Sequence, residues 1–74
     1  ELGRFEEAAE CFNEAIKINP RDADTWFSKG FSLEQMSKFD DALRHYEKAI
    51  KMDQTHDDAR EARRRLSDRI SEKP

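Results

Sequence analysis

The stretch Asp58–Arg69, DAREARRRLSDR, holds five arginines. Guanidinium groups at that density offer one clear chemistry, the gripping of phosphates in nucleic acid or another anion. The acids interleaved with them oppose it. Residues 57–74 carry six Lys/Arg against five Asp/Glu, a net of +1, so the field toward a phosphate is blunted. On a helix these residues would pair along one face instead, Glu61 with Arg65 and Arg64 with Asp68. A solvated face is therefore the expectation for Arg60, Arg63 and Arg64, and anion or RNA binding is the alternative. Cys11 and His45 occupy equivalent places 34 residues apart, and His56 lies in a different kind of segment. A metal site needs a further ligand at fitting spacing, so no metal and no cofactor are expected. The chain has no Gly-rich phosphate loop and no nucleophile–base pair in a recognisable setting, and its carboxylates are spread along the chain. It does not read as an enzyme.

Composition narrows the class further. Seventy-four residues allow one small domain whose core is marginal by itself. Charged residues make up 42% against 35% hydrophobic, with a net charge of −3, which argues against nucleic acid as the main partner. Two glycines and two prolines suit helices rather than short strands. A single cysteine excludes an intrachain disulfide framework and points to a reducing, cytoplasmic setting. No apolar run approaches the length of a membrane span.

What elements must carry these residues? Slid by 34 positions, the first 22 residues fall on 35–56. Phe5 lands on Phe39, Ala8 on Ala42, Ala15 on Ala49, Ile16 on Ile50 and Lys17 on Lys51, with Phe12 on Tyr46 as a near-match. The matched apolar residues share one helical stripe: Phe5, Ala8, Phe12, Ala15 and Ile16 recur at the period of a buried face. Glu6, Glu7, Glu10, Glu14 and Lys17 fill the remaining arc. Between the copies NPRDAD breaks the chain, because Pro20 disfavours helix at Asn19. Asp22 can cap a following helix with Asp24 in its first turn. That helix runs from about Ala23 to Met36, SKFDD turns the chain, and Thr55 is the candidate cap of a last helix from Asp57 to Ile70. Four helices with short connections favour antiparallel neighbours.

Trp26, Gly30 and Leu33, followed by Ala42, Tyr46 and Ala49, and the earlier Ala8, Phe12, Ala15 and Pro20, together resemble the tetratricopeptide repeat (TPR) family, whose helix–turn–helix unit is 34 residues long. Lys29, Leu33 and Gln54 depart from the family pattern, in place of Leu, Tyr and Pro. The resemblance implies an all-α, right-handed solenoid of antiparallel helix pairs and a non-catalytic interaction scaffold. It also explains a glycine inside a helix, which costs about 1 kcal/mol relative to alanine. Close approach of paired helices would give the ring of Tyr46 or Phe39 room at Gly30, with Trp26 filling the space a turn away. Burying such a side chain contributes roughly 1.5–3 kcal/mol.

The register divides the chain into residues 1–22, the second helix of a truncated unit; 23–56, a complete unit; and 57–74, a capping helix with a frayed tail from Ser71. Glu1, Leu2 and Gly3 align with the turn between paired helices. A repeat does not bury its apolar face alone, so either the chain is a piece of a longer array, or Leu2, Phe5 and Phe12 present an uncovered end through which copies could associate. The last helix keeps only Ala59, Ala62, Leu66 and Ile70 apolar, as a terminal cap would. In the family, the first helix of each unit lines a concave groove that binds peptides or helices. Phe27 and Phe31 would anchor a protein partner there, the alternative being that one or both rings pack inward against the previous repeat; Arg65 and Arg69 would orient the partner's acidic group, and Asp24 and Glu34 would repel wrong partners. The carboxylate-clamp positions of some family members fall on Asp24 and Ser28, so that clamp is not visible.

Overall fold

The computed structural model describes residues 2–71, apart from the Leu2 side chain. They form α1 (Leu2–Ile18), α2 (Ala23–Gln35), α3 (Phe39–Met52) and α4 (Asp57–Ser71), with no strand among the described residues. Residues 72–74, where fraying was expected, lie outside the described residues, and Ser71 is helical. The turn expected at residues 1–3 is absent from its described part, because Leu2 and Gly3 belong to α1. Nothing stands within 4 Å of where a Gly3 Cβ would be.

Each break has a local cause. The Asp22 side chain accepts a hydrogen bond from the Asp24 backbone N–H (3.1 Å) and so caps α2. At the other end Ser37 takes a left-handed φ of 61°. Ser37 N–H donates to the Glu34 carbonyl and Lys38 N–H to the Leu33 carbonyl, each at 2.9 Å. This is the paired bonding that closes a helix through a left-handed residue. The cap of α4 is not Thr55. Thr55 N–H and Oγ1 both donate to Asp53 Oδ1, at 3.0 and 2.7 Å. His56 takes the role, its Nδ1 accepting from the Ala59 N–H at 3.1 Å. The Asp53 carboxylate is reachable two residues on, so the threonine closes that turn and the imidazole is left to the helix.

α2 is the middle of the stack. Its C-terminal Leu33 shares a core with Ala42, Tyr46, Ala62 and Leu66, while its N-terminal Ala23 meets Ala49 and Ala59. The start of α2 thus meets the end of α3, and α3 runs back against α4 in the same way, which makes consecutive helices antiparallel. The Cα trace spans 39 × 31 × 14 Å, a slab of helices rather than a ball. A Cβ built on Gly30 would stand 2.8 Å from Cδ1 and Cε1 of Tyr46 and 3.3 Å from the Ala42 carbonyl oxygen. The ring that needs the glycine is therefore Tyr46, not Phe39. Trp26 joins the second cluster. Its Nε1 donates to the Pro20 carbonyl at 2.7 Å, and its ring meets His45 with centroids 5.5 Å apart.

Candidate functional site

An open cleft of about 550 Å³ lies between α1 and α2, lined by Arg4, Phe5, Ala8, Phe12, Phe27, Ser28, Phe31 and Ser32. The helical period puts Phe5, Ala8 and Phe12 on one face of α1 and Phe27, Ser28, Phe31 and Ser32 along α2. Phe31 is 45% exposed.

The cleft is the earlier copy of a seat that is filled elsewhere. Around Leu33 of α2 the core is made by Phe39, Ala42, Tyr46, Ala62 and Leu66. Their counterparts 34 positions earlier are Phe5, Ala8, Phe12, Ser28 and Ser32, and all five line the cleft. Ala42, Tyr46 and Ala49 are 0% exposed. Ala8, Phe12 and Ala15 are only half-buried. The same stripe is thus covered in one copy and open in the other, and the helix that covers it is α2.

The far side of α2 is held by charge. Tyr46 Oη donates to Glu34 Oε1 at 2.7 Å, and the Arg65 guanidinium donates through both terminal nitrogens to the two Glu34 oxygens. The Glu34 side chain is 7% exposed and that of Arg65 55%. Burial alone would raise the Glu34 carboxyl, but the hydrogen bonds from Arg65 and Tyr46 hold it below its ordinary value. Burial, followed by the bond to Glu34, pushes the Tyr46 phenol well up. The network ties α2, α3 and α4 together. Near the N-terminus of α2, His56 Nε2 donates to Asp24 Oδ1 at 2.7 Å while its ring packs on Phe27 at 5.2 Å. Because Nδ1 accepts from the backbone, the proton sits on Nε2.

The residues expected to form one concave groove are therefore divided. Phe27 and Phe31 share the α1–α2 cleft with Phe5 and Phe12, and Phe27 also stacks on Tyr46 at 5.6 Å. Glu34 and Arg65 satisfy each other. The Arg69 guanidinium lies over the Phe39 ring, 4.6 Å from its centroid. Asp24 stays at the surface, bonded to His56. Phe5 and Phe12 are half-buried and line the cleft; the side chain of Leu2 lies outside the described residues. Sequence reasoning missed Ser28 and Ser32 as lining and His56 as a strut; the 34-residue register that picked out Phe5 and Phe12 also marks the serines. The pairs Glu61–Arg65 and Arg64–Asp68 do not form. Arg65 pairs across helices with Glu34 instead, and Arg63 with Glu47 at 3.7 Å. Cys11 is exposed, and His45 Nδ1 donates to the Asp41 carbonyl at 2.8 Å. Among the described residues no group of three His, Cys, Asp or Glu side chains could hold a metal ion, and no helix is long and apolar enough to cross a membrane.

A stack of antiparallel helices with a 34-residue period defines a helical-repeat protein. Residues 1–37 match the model of the TPR repeat and residues 23–56 that of the tetratricopeptide repeat. The chain belongs to the TPR family. It is 37% identical over 51 residues to a TPR repeat-containing protein of Methanocaldococcus jannaschii, covering 69% of this chain and 9% of that protein. A TPR repeat-containing protein of Schizosaccharomyces pombe is 42% identical over 41 residues, 55% of this chain and 5% of that one. An uncharacterized protein of M. jannaschii is 40% identical over 40 residues, 54% of this chain and 46% of its own length. The chain thus spans less than half of each of these relatives. TPR repeats generally mediate protein–protein interaction, and the family is in general a non-catalytic scaffold.

Proposed function

We propose that this chain is a non-catalytic scaffold that seats an amphipathic helix of a partner protein in the cleft between α1 and α2. The observation that carries the reading is the repeat itself. Phe39, Ala42, Tyr46, Ala62 and Leu66, which pack around Leu33, have counterparts in the cleft at Phe5, Ala8, Phe12, Ser28 and Ser32. Phe5, Phe12, Phe27 and Phe31 supply the apolar anchors, which favour a helix laid in a groove over an extended strand. Large aromatic side chains in a pocket are where binding energy concentrates. The charged network of Glu34, Tyr46 and Arg65 keeps α2 rigid behind the cleft, so little ordering is left for the moment of binding.

Titration of the isotopically labelled chain with a synthetic amphipathic helix tests this. The expected outcome is amide shifts at Ala8, Phe12, Ser28 and Phe31. Shifts confined to Arg60, Arg63 and Arg64 would move the site to the arginine face of α4. No shift anywhere would remove the helix-seating reading.

A further inference from the structure

The two histidines are wired differently. His45 Nδ1 donates to the Asp41 carbonyl, and its Nε2 has no hydrogen-bond partner among the described residues. A proton taken up there breaks no bond. His56 has no such spare atom. Its Nε2 donates to Asp24 Oδ1 at 2.7 Å, and its Nδ1 accepts from the Ala59 N–H at 3.1 Å. A second proton on this ring goes to Nδ1, the atom that caps α4. The charged ring has two N–H donors and no acceptor, so no rotation restores the lost bond.

The other contacts of His56 favour a charged ring. Asp24 faces it from α2. The Asp53 carboxylate, at the end of α3, is close enough to feel its charge. Asp57 and Asp58 stand in the first turn of α4 itself. The ring packs on Phe27 with centroids 5.2 Å apart, a contact that suits a cation. A proton therefore costs the ring one bond and strengthens the rest. What loses is the helix. Ala59 is 0% exposed among Ala23 and Ala49, and its N–H is one of the donors at a helix start that need an acceptor from outside the helix.

We propose that His56 is an acid-operated release for the start of α4: a proton on Nδ1 leaves the ring tied to Asp24 but takes the acceptor from the Ala59 N–H, so the first turn loosens while α4 stays tethered to α2. The release is local, because the later contacts of α4 are made by Ala62, Leu66 and the Arg65–Glu34 pair, none of them a histidine. Histidine is also the side chain that changes charge nearest neutral pH. The release operates whether or not the cleft between α1 and α2 seats a helix.

Nuclear magnetic resonance of the isotopically labelled full chain, followed across about pH 5–8, tests this. The ring carbons of His56 report the arrival of its proton, and the Ala59 amide reports the cap. At the alkaline end the ring nitrogens should show the proton on Nε2, with through-bond coupling from the Ala59 amide to Nδ1. As the ring charges, that coupling should vanish and the protection of the Ala59 amide against exchange should fall by roughly fivefold or more, as for a lost cap. His45→Gln should leave this response intact. His56→Asn, which caps but does not titrate, should hold Ala59 protection constant across the range. An Ala59 amide that ignores the His56 titration overturns the inference. So does the same response in His56→Asn, a His56 ring that stays neutral over the whole range, or a neutral ring protonated on Nδ1. Should His56→Asn fail to fold, the joint titration of His56 and Ala59 in the wild-type chain decides by itself.

Discussion

Replacing Gly30 with alanine sets two effects of opposite sign against each other. Helix propensity favours the change by about 0.8–1.0 kcal/mol in a helix interior. Packing opposes it. The new methyl would stand 2.8 Å from two ring carbons of Tyr46 and 3.3 Å from a backbone oxygen. A flexible side-chain end would yield, but Tyr46 is 0% exposed and its hydroxyl is held by Glu34. Forcing a methyl into such a site costs about 1–3 kcal/mol. Displacing the ring also strains a hydrogen bond whose net worth is roughly 0.5–1.5 kcal/mol. The balance is a loss of about 1–2 kcal/mol, or roughly 6–13 °C in Tm for a domain of this size. Urea and thermal melts followed by circular dichroism measure it, and the chain carries its own control. Gly3→Ala has nothing within 4 Å to meet, so it should be neutral or slightly stabilising. In a Tyr46→Leu background the penalty at Gly30 should shrink or reverse, since the ring is gone. A Gly30→Ala chain as stable as the wild type would refute the close-approach argument.

Further outcomes follow from the same contacts. The Glu34 carboxyl is held below its ordinary value in the fold, so its contribution is present above the unfolded pKa of about 4.3 and is lost as pH falls through the lower folded value. Glu34→Gln should therefore flatten the loss of stability on acidification below that pH, read from Tm against pH. Ser37 spends its left-handed φ of 61° at a position whose counterpart one repeat earlier is Gly3. Ser37→Gly should stabilise the chain by roughly 0.5–1 kcal/mol in a urea melt. His56→Ala removes the cap of α4 and the strut to Asp24 and should cost about 1 kcal/mol or more. Thr55→Ala should cost clearly less in the same measurement, and the reverse order would return the cap to Thr55.

The sequence made the helices and their pairing readable because both are written at short range or at one fixed period. Phe39, Ala42, Tyr46 and Ala49 mark a buried face by spacing alone, and Pro20 and Asp22 mark the break before it. The direction of Phe27 and Phe31 was not readable in that way. α2 is touched by α1, α3 and α4, so its apolar arc is wide, and periodicity does not say which neighbour receives which ring. Glu34 was harder still. A lone acid on a helix reads as solvated, and its burial depends on donors 12 and 31 residues away. The cap at His56 turned on competition, because Asp53 captured the threonine that would otherwise have served.

The two ends of the stack differ in a way that bears on assembly. A cleft at one end that accepts a helix invites head-to-tail growth, since a contact between unlike faces does not close on itself and can run on as a filament. The outer helix opposes it. On α4 the apolar residues Ala59, Ala62 and Leu66 are already buried against α3. Apart from half-buried Ile70, the rest of that helix, Arg60, Glu61, Arg64 and Asp68 among it, is exposed, and burying such charges in an apolar cleft is costly. Sedimentation of the purified chain should therefore show no concentration-dependent polymer, and a mass that climbs steadily with concentration would refute the argument from the charged face of α4.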